Sequence, residues 1–230
     1  MSDPDAYVAL VSSLPSSERL FVAKRPPLSR LRLDRRLSAL TETHARTLAR
    51  IEHLLSWSAY DPGSDLGTLV GRAKELMADL PYRTLRRIVD ERMELRTAVA
   101  ALRMRHGGAK PPETDWGYGV WTSQIAANWG EPAFGLERSL PWLRQAGQLL
   151  ERGDPLGLQR HLLDVTFRQL QRHAGRHHFD FEAVVIYVLK WNIFDRWAKA
   201  DSVAAAQRFT ELSEDALKNF PHLQAEGATA

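Results

Sequence analysis

The chain contains no cysteine among its 230 residues, which excludes disulfide bonds and thiolate chemistry and suits a reducing compartment. It also lacks an apolar run able to cross a membrane. The longest apolar stretch, residues 177–197, is interrupted by charges that include Glu182, Lys190 and Asp195. The opening MSDPDAY has neither the basic nor the apolar region of a secretory signal. We therefore expect a cytoplasmic protein without membrane insertion.

Sequence motifs of common catalytic sites are missing as well. There is no GxxxxGK[ST] phosphate loop, no GxGxxG, no HExxH and no GxSxG. Four histidines do lie close together, at positions 161, 173, 177 and 178, and His178 precedes Glu182 by one helical turn. Such a pair could ligate zinc. More commonly, histidines and carboxylates at this spacing are polar side chains around the start of a helix and bind no metal. We expect no enzyme activity, no metal and no cofactor.

Lysine is scarce, with six lysines among 31 basic residues, and the net charge is only +3. The charge is uneven along the chain. Nine basic residues lie between Arg19 and Arg50, whereas acidic residues outnumber basic ones five to two from Asp201 onward. The basic segment is expected to pair either with this acidic tail or with a partner of opposite potential. Its candidate contact residues are Arg30, Arg32, Arg35 and Arg36. The alternative is an Arg-rich helical nucleic-acid-binding protein.

The hydrophobic periodicity predicts an all-α fold, a multi-helix globular bundle. Helices are expected at about 42–59, 66–78, 82–106, 139–152, 156–173 and 202–219. A turn is predicted at residues 61–63, Asp-Pro-Gly. The short apolar run at residues 7–11 fits a strand or a first helical turn equally well.

The segment at about 180–199 is predicted to be a nearly fully buried central helix, capped by Asp180. Apolar side chains cover two opposite faces of it. One face carries Phe181, Val184, Val188 and Trp191, and the other carries Ile186, Leu189, Ile193 and Trp197. A helix that is apolar on nearly all sides belongs in a core.

One helical domain, residues 1–230, is the expected organisation. The alternative divides the chain at the linker 109–112 into residues 1–108 and a Trp-rich part, 113–220. Trp121, Ile125 and Trp129 are spaced as one helical stripe. Trp121 and Trp129 are core residues, partner-docking anchors or part of a pocket that stacks bases or another ligand.

Arginines and acids alternate along the long helix at 82–106. The arginines are Arg83, Arg86, Arg87, Arg92 and Arg96, and the acids are Asp90, Glu91 and Glu94. Their i, i+3 and i, i+4 spacings predict a solvated face of ion pairs instead of a phosphate-binding surface.

Two stretches resemble an uncharacterised bacterial family, the DUF2764 group. Residues 7–15, YVALVSSLP, are similar to its opening YYYLVASLP, and residues 177–197 are similar to its pattern HYFxxExxxAYLLKLxxxERW. The matching positions in the second stretch are Phe179, Glu182, Tyr187, Leu189, Lys190, Arg196 and Trp197. Phe134-Gly-Leu136 also resembles the family.

The resemblance implies a function in a V/A-type rotary ATPase, because members of that family are typically encoded among its subunits. It implies a non-enzymatic accessory or structural subunit that acts by protein–protein binding, similar to the helical socket that joins the central stalk to the membrane rotor ring. Its partners would be other ATPase subunits, which would place the protein at the inner face of the membrane. The resemblance supplies no catalytic residues, and mutual pairing inside the core is the simplest role for Glu182, Lys190 and Arg196.

Overall fold

The computed structural model describes residues 4–16, 25–56, 66–113 and 116–219, and the side chains of residues 7–200 within those ranges. These residues form helices and turns without strands, so the all-α prediction is confirmed. The helices are α1 (Pro4–Ser13), α2 (Arg30–Leu37), α3 (Glu42–Leu55), α4 (Leu66–Asp79), α5 (Arg83–His106), α6 (Thr122–Ala127), α7 (Trp142–Glu151), α8 (Pro155–Ala174) and α9 (Phe181–Asn219). Within the described ranges, no helix has the length and hydropathy needed to span a membrane.

The helix boundaries follow the sequence periodicity closely where an apolar stripe is long. Helices α4, α5 and α8 begin and end within one residue of the predicted positions. Helix α3 starts as predicted but ends at Leu55, because the backbone of Ser56 leaves the helical conformation (ψ 140°). The turn predicted at residues 61–63 lies outside the described residues. The run at residues 7–11 is helical, since it lies within α1.

Helix α9 is one continuous helix of 39 residues, whereas the sequence predicted two helices with a break near residue 200. No glycine or proline occurs between residues 181 and 219, and the segment 198–206 is rich in alanine, so nothing interrupts the backbone hydrogen bonds. The predicted cap is present. The Asp180 Oδ1 atom accepts the Ala183 N–H at 2.8 Å.

The described side chains form two hydrophobic clusters that share helices α5 and α8. The first cluster collects residues of α1 to α4, the first half of α5, the last half of α8, and α9 up to Phe194. The second collects residues of the last half of α5, the segment 125–146 and the first half of α8. The core therefore divides across α5 and α8, not at the linker 109–112.

The predicted solvated ion-pair face of α5 is present at Arg87, which is 68% exposed and pairs with Glu91, but Arg92 and Arg96 depart from it. Arg92 and Arg96 are each only 3% exposed. The Arg96 guanidinium donates to the carbonyl oxygens of Leu54 and Ser56, at the C-terminal end of α3. Carbonyls there have no partner within their own helix, and they carry the negative end of its dipole. Helix α3 thus supplies buried acceptors that the sequence of α5 alone does not reveal.

Candidate docking surface

Helix α2 carries four of the six residues predicted to bind a partner. Ser29 caps its start, since the Ser29 Oγ atom accepts the Arg32 N–H at 3.4 Å. Leu33 and Leu37, one helical turn apart, are both buried in the first cluster. This inward stripe of two leucines orients the remaining side chains of α2 away from the core.

Arg30 fixes α2 to the rest of the fold. Its guanidinium donates to both carboxylate oxygens of Glu52 in α3, at 2.8 and 3.2 Å, and to Asp34 at 2.8 Å. It also lies over the Trp191 ring, 5.6 Å from the centroid. The hydrogen bond to Glu52 raises the pKa of Arg30. Such a bidentate, ring-stacked arginine has an orienting role.

The other arginines of α2 remain available for a partner. Arg32 and Arg35 are exposed, and neither they nor Arg36 form an ion pair with any residue that the structure describes. Leu31 lies beside them with 66% of its surface exposed. The outer face of α2 therefore combines an apolar side chain with uncompensated positive charge.

Arg36 connects this face to α9. Burial raises the pKa of the Tyr187 hydroxyl to about 12, and the nearby positive charge of Arg36 acts in the opposite direction. Arg36 is itself half-buried. The cation therefore lies close enough to Tyr187, a residue of the family pattern, to affect its ionisation.

The two predicted tryptophans lie elsewhere in the molecule. Trp121 and Trp129 are half-buried and pack against the second cluster, whereas α2 packs in the first. The Trp129 Nε1 atom donates to the Ala109 carbonyl at 3.1 Å, and its ring lies 5.5 Å from that of Phe134. The short helix α6 holds Ile125, the fully buried member of the predicted stripe. The structure thus does not bring the tryptophans and arginines together in one cluster.

A rigid loop beside Trp121 was not predicted as a feature. The Tyr118 N–H donates to Thr97 Oγ1 at 2.8 Å, and the Tyr118 hydroxyl donates to Asp90 at 2.6 Å. Gly119 has φ +91°, and a Cβ there would lie 2.4 Å from Glu94 Cγ, so only glycine allows this approach. Burial raises the pKa of Glu94. The sequence Gly117-Tyr118-Gly119 was the signal from which this loop could have been predicted. Val120, the next residue, has 76% of its surface exposed.

The residues that match the family pattern lie on different sides of α9 or just before its start. Phe179, Tyr187 and Lys190 line a groove of about 370 Å³ between α1 and α9. Phe179 is 52% exposed there. Leu189 and Arg196 line a different cleft. The seventh pattern residue, Trp197, lies under the Arg160 guanidinium at 5.6 Å.

The expected mutual pairing of Glu182, Lys190 and Arg196 is wrong. Along one helix, at 1.5 Å per residue, Glu182 lies about 12 Å from Lys190 and about 21 Å from Arg196. Lys190 is buried with its Nζ atom 5.3 Å from the centre of the Phe167 ring, whereas Arg196 is exposed. Burial raises the pKa of Glu182. The three side chains therefore have three different environments.

One group of side chains in the described residues has a spacing that suits a metal ion. Ligand atoms of His177, Asp180 and Glu182 all lie within 4.8 Å of one another. His177, not the predicted His178, is the histidine of this group. Its Nδ1 atom lies 2.7 Å from Asp180 Oδ2 and its Nε2 atom 2.8 Å from Thr84 Oγ1. Because Asp180 also caps α9, these atoms already serve the local fold, and we assign no metal site.

His44 connects four segments of the first cluster. Its Nδ1 atom is hydrogen-bonded to the Tyr7 hydroxyl, and its Nε2 atom lies 2.6 Å from the Tyr82 hydroxyl. The ring stacks on Phe181 with the centroids 4.2 Å apart. Burial lowers the pKa of His44 and raises that of Tyr82. The neutral imidazole is therefore the form that the fold stabilises.

This environment predicts a loss of stability in mild acid. Because the folded pKa of His44 is lowered from about 6.5, the unfolded chain takes up a proton first as the pH falls. The stabilisation is complete above pH 6.5 and is lost as the pH falls from there through the lower folded pKa. Urea unfolding between about pH 7.5 and 5.5 should show a steeper decline for the wild type than for His44→Phe. The raised pKa of Glu182 has the opposite effect in both proteins, so identical slopes would contradict the prediction.

Comparison with protein family models, with curated proteins and with solved structures gives no match to this chain. The family resemblance therefore rests on the quoted motifs near the N-terminus and in α9. The docking surface on α2 is argued from its own contacts, charge and exposure.

Proposed function

We propose that this chain is a non-enzymatic subunit or accessory protein of a V/A-type rotary ATPase and that α2 binds another subunit of that complex. The outer face of α2 is the observation that carries the binding part of the proposal. Arg30 holds the helix in place, while Leu31, Arg32 and Arg35 are exposed around it. The resemblance of residues 7–15 and 177–197 supplies the choice of complex. Such a subunit would reach the inner face of the membrane through its partners.

The composition of this face favours a protein partner over nucleic acid. Nucleic-acid binding draws its affinity from cations that neutralise phosphates, and that affinity depends steeply on salt. Here Leu31 is exposed between Arg30 and Arg32, and Asp34 neutralises part of the charge. In protein interfaces, apolar and arginine side chains supply the affinity, and surrounding charges mainly accelerate association.

We expect Arg32→Glu/Arg35→Glu to weaken capture of ATPase subunits from a native-host lysate at least ten-fold at about 50 mM salt. The loss should be smaller at about 200 mM salt, because screening weakens charge steering. The captured subunits would be identified by mass spectrometry. Arg83→Glu/Arg138→Glu is the matched control, since it changes the net charge equally at two exposed positions outside α2.

Two outcomes would refute this proposal. One is equal capture of ATPase subunits by both double variants, which would remove α2 from the interface. The other is micromolar binding of random DNA or RNA at about 200 mM salt without any ATPase subunit. A log–log salt slope near −0.9 per neutralised phosphate on duplex DNA would then identify a nucleic-acid-binding protein.

A further inference from the structure

A pocket of about 890 Å³ lies between α4 and residues of the segments 112–113 and 116–126. We call it the α4–α6 pocket. Helix α4 contributes Val70 and Lys74 to its walls, the loop contributes Glu113 and Trp116, and α6 contributes Ala126. Volumes of this size hold a drug-sized molecule, so the pocket can take several groups of a protein segment. Its lining residues lie outside α2.

Two opposite charges line this pocket without neutralising each other. Lys74 and Glu113 are both exposed, and neither forms an ion pair with any residue that the structure describes. A surface that carries one such cation and one such carboxylate is complementary to a copy of itself, because a two-fold axis can place each charge opposite its counterpart.

An exposed apolar side chain lies directly beside the pocket. Val120 follows Gly119, which lines the pocket, and has 76% of its surface exposed. The loop before it is fixed to α5, because the Tyr118 N–H donates to Thr97 Oγ1 at 2.8 Å and the Tyr118 hydroxyl donates to Asp90 at 2.6 Å. Val120 is therefore presented on an ordered backbone, and burying it in a contact costs little conformational entropy.

We propose that this surface binds a second copy of the chain to form a two-fold symmetric dimer. Val120 of each copy enters the α4–α6 pocket of the other and contacts the apolar part of its lining, Val70 and Trp116. Lys74 of each copy pairs with Glu113 of the other. A two-fold contact uses the same patch on both copies, so one chain must supply both the projecting side chain and the pocket. This dimer surface is separate from the partner surface on α2 and does not depend on the proposed function.

Sedimentation equilibrium of the full chain from about 1 μM to 1 mM tests this dimer in the Kd range of weak protein contacts. We expect the average mass to rise from monomer to dimer and no further, since a two-fold contact closes on itself. Val120→Asp should weaken dimerisation at least ten-fold, because it places a carboxylate in an apolar contact. Val8→Asp is the matched control, since Val8 is 42% exposed on α1. Arg32→Glu/Arg35→Glu should also dimerise as the wild type does, which separates this test from that of the proposed function.

Exchanging the two charges gives a second test, which a loss of folding cannot imitate. Lys74→Glu and Glu113→Lys should each dimerise about ten-fold more weakly than the wild type, because each homodimer then places two pairs of like charges together. An equal mixture of the two variants should recover dimerisation, since both pairs are again opposite in the mixed dimer. Four results would overturn the assignment: a wild type that stays monomeric, unchanged dimerisation by Val120→Asp, loss of the dimer in Arg32→Glu/Arg35→Glu, or a mixture that dimerises no better than either variant alone.

Discussion

Replacing Trp191 by alanine is expected to lower the free energy of unfolding by about 3–5 kcal/mol. The Trp191 side chain is 4% exposed in the first cluster, and its Nε1 atom donates to the Leu28 carbonyl at 2.8 Å. Alanine would leave a cavity and an acceptor without its donor, and it would remove the ring over which Arg30 lies. Urea unfolding should show a lower midpoint at a similar slope.

Trp191→Phe separates the two contributions. Phenylalanine keeps most of the buried ring but cannot donate to the Leu28 carbonyl, so its cost should be intermediate, about 1–3 kcal/mol. A midpoint for Trp191→Ala within error of the wild type would mean that α9 does not pack against the core at this residue.

Replacing Arg96 by alanine is expected to cost a similar amount, about 3–5 kcal/mol. Each hydrogen bond from a charged group contributes roughly 1.5–3 kcal/mol, and Arg96 donates to the carbonyls of both Leu54 and Ser56. Without the guanidinium, the carbonyls of Leu54 and Ser56 lose their donor, and that of Leu54 loses it in a buried environment. Urea unfolding monitored by far-UV circular dichroism measures the loss.

Two variants test whether this cost arises from the contact with α3. Arg96→Lys keeps the charge but loses the planar fork, so an intermediate stability is expected. Arg87→Ala removes an arginine from the same helix that is 68% exposed and paired with Glu91, and should cost less than about 1 kcal/mol. Equal costs for Arg87→Ala and Arg96→Ala would refute the buried role of Arg96.

The fold class and most helix boundaries could be predicted because they depend on local spacing. The predicted inward face of α3 consists of four residues, and all four are buried: Leu48, Ile51, Leu54 and Leu55. The apolar periodicity gave a wrong prediction where the periodic stretch was short or interrupted by turns. Trp121 and Trp129 are spaced as a stripe, but α6 spans only residues 122–127, because turns at both ends place the two rings outside it.

The candidate docking surface could be predicted in part. The run of arginines at Arg30 to Arg36 indicated a basic surface, and Arg32 and Arg35 are indeed exposed. The different role of Arg30 could not be predicted, because Glu52 and Trp191, the residues that hold it, lie 22 and 161 positions away. Sequence spacing within α2 carries no information about them.

The sequence by itself determined the all-α class, the capped start of α9 and the basic character of α2, since these follow from hydrogen bonding and spacing within a few residues. Only the tertiary structure decided which charged residues are buried. Arg87 and Arg96 look alike in the sequence of α5, yet one is solvated and the other donates to the end of α3. The physical reason is that a charge can be buried only where distant segments supply partners for it.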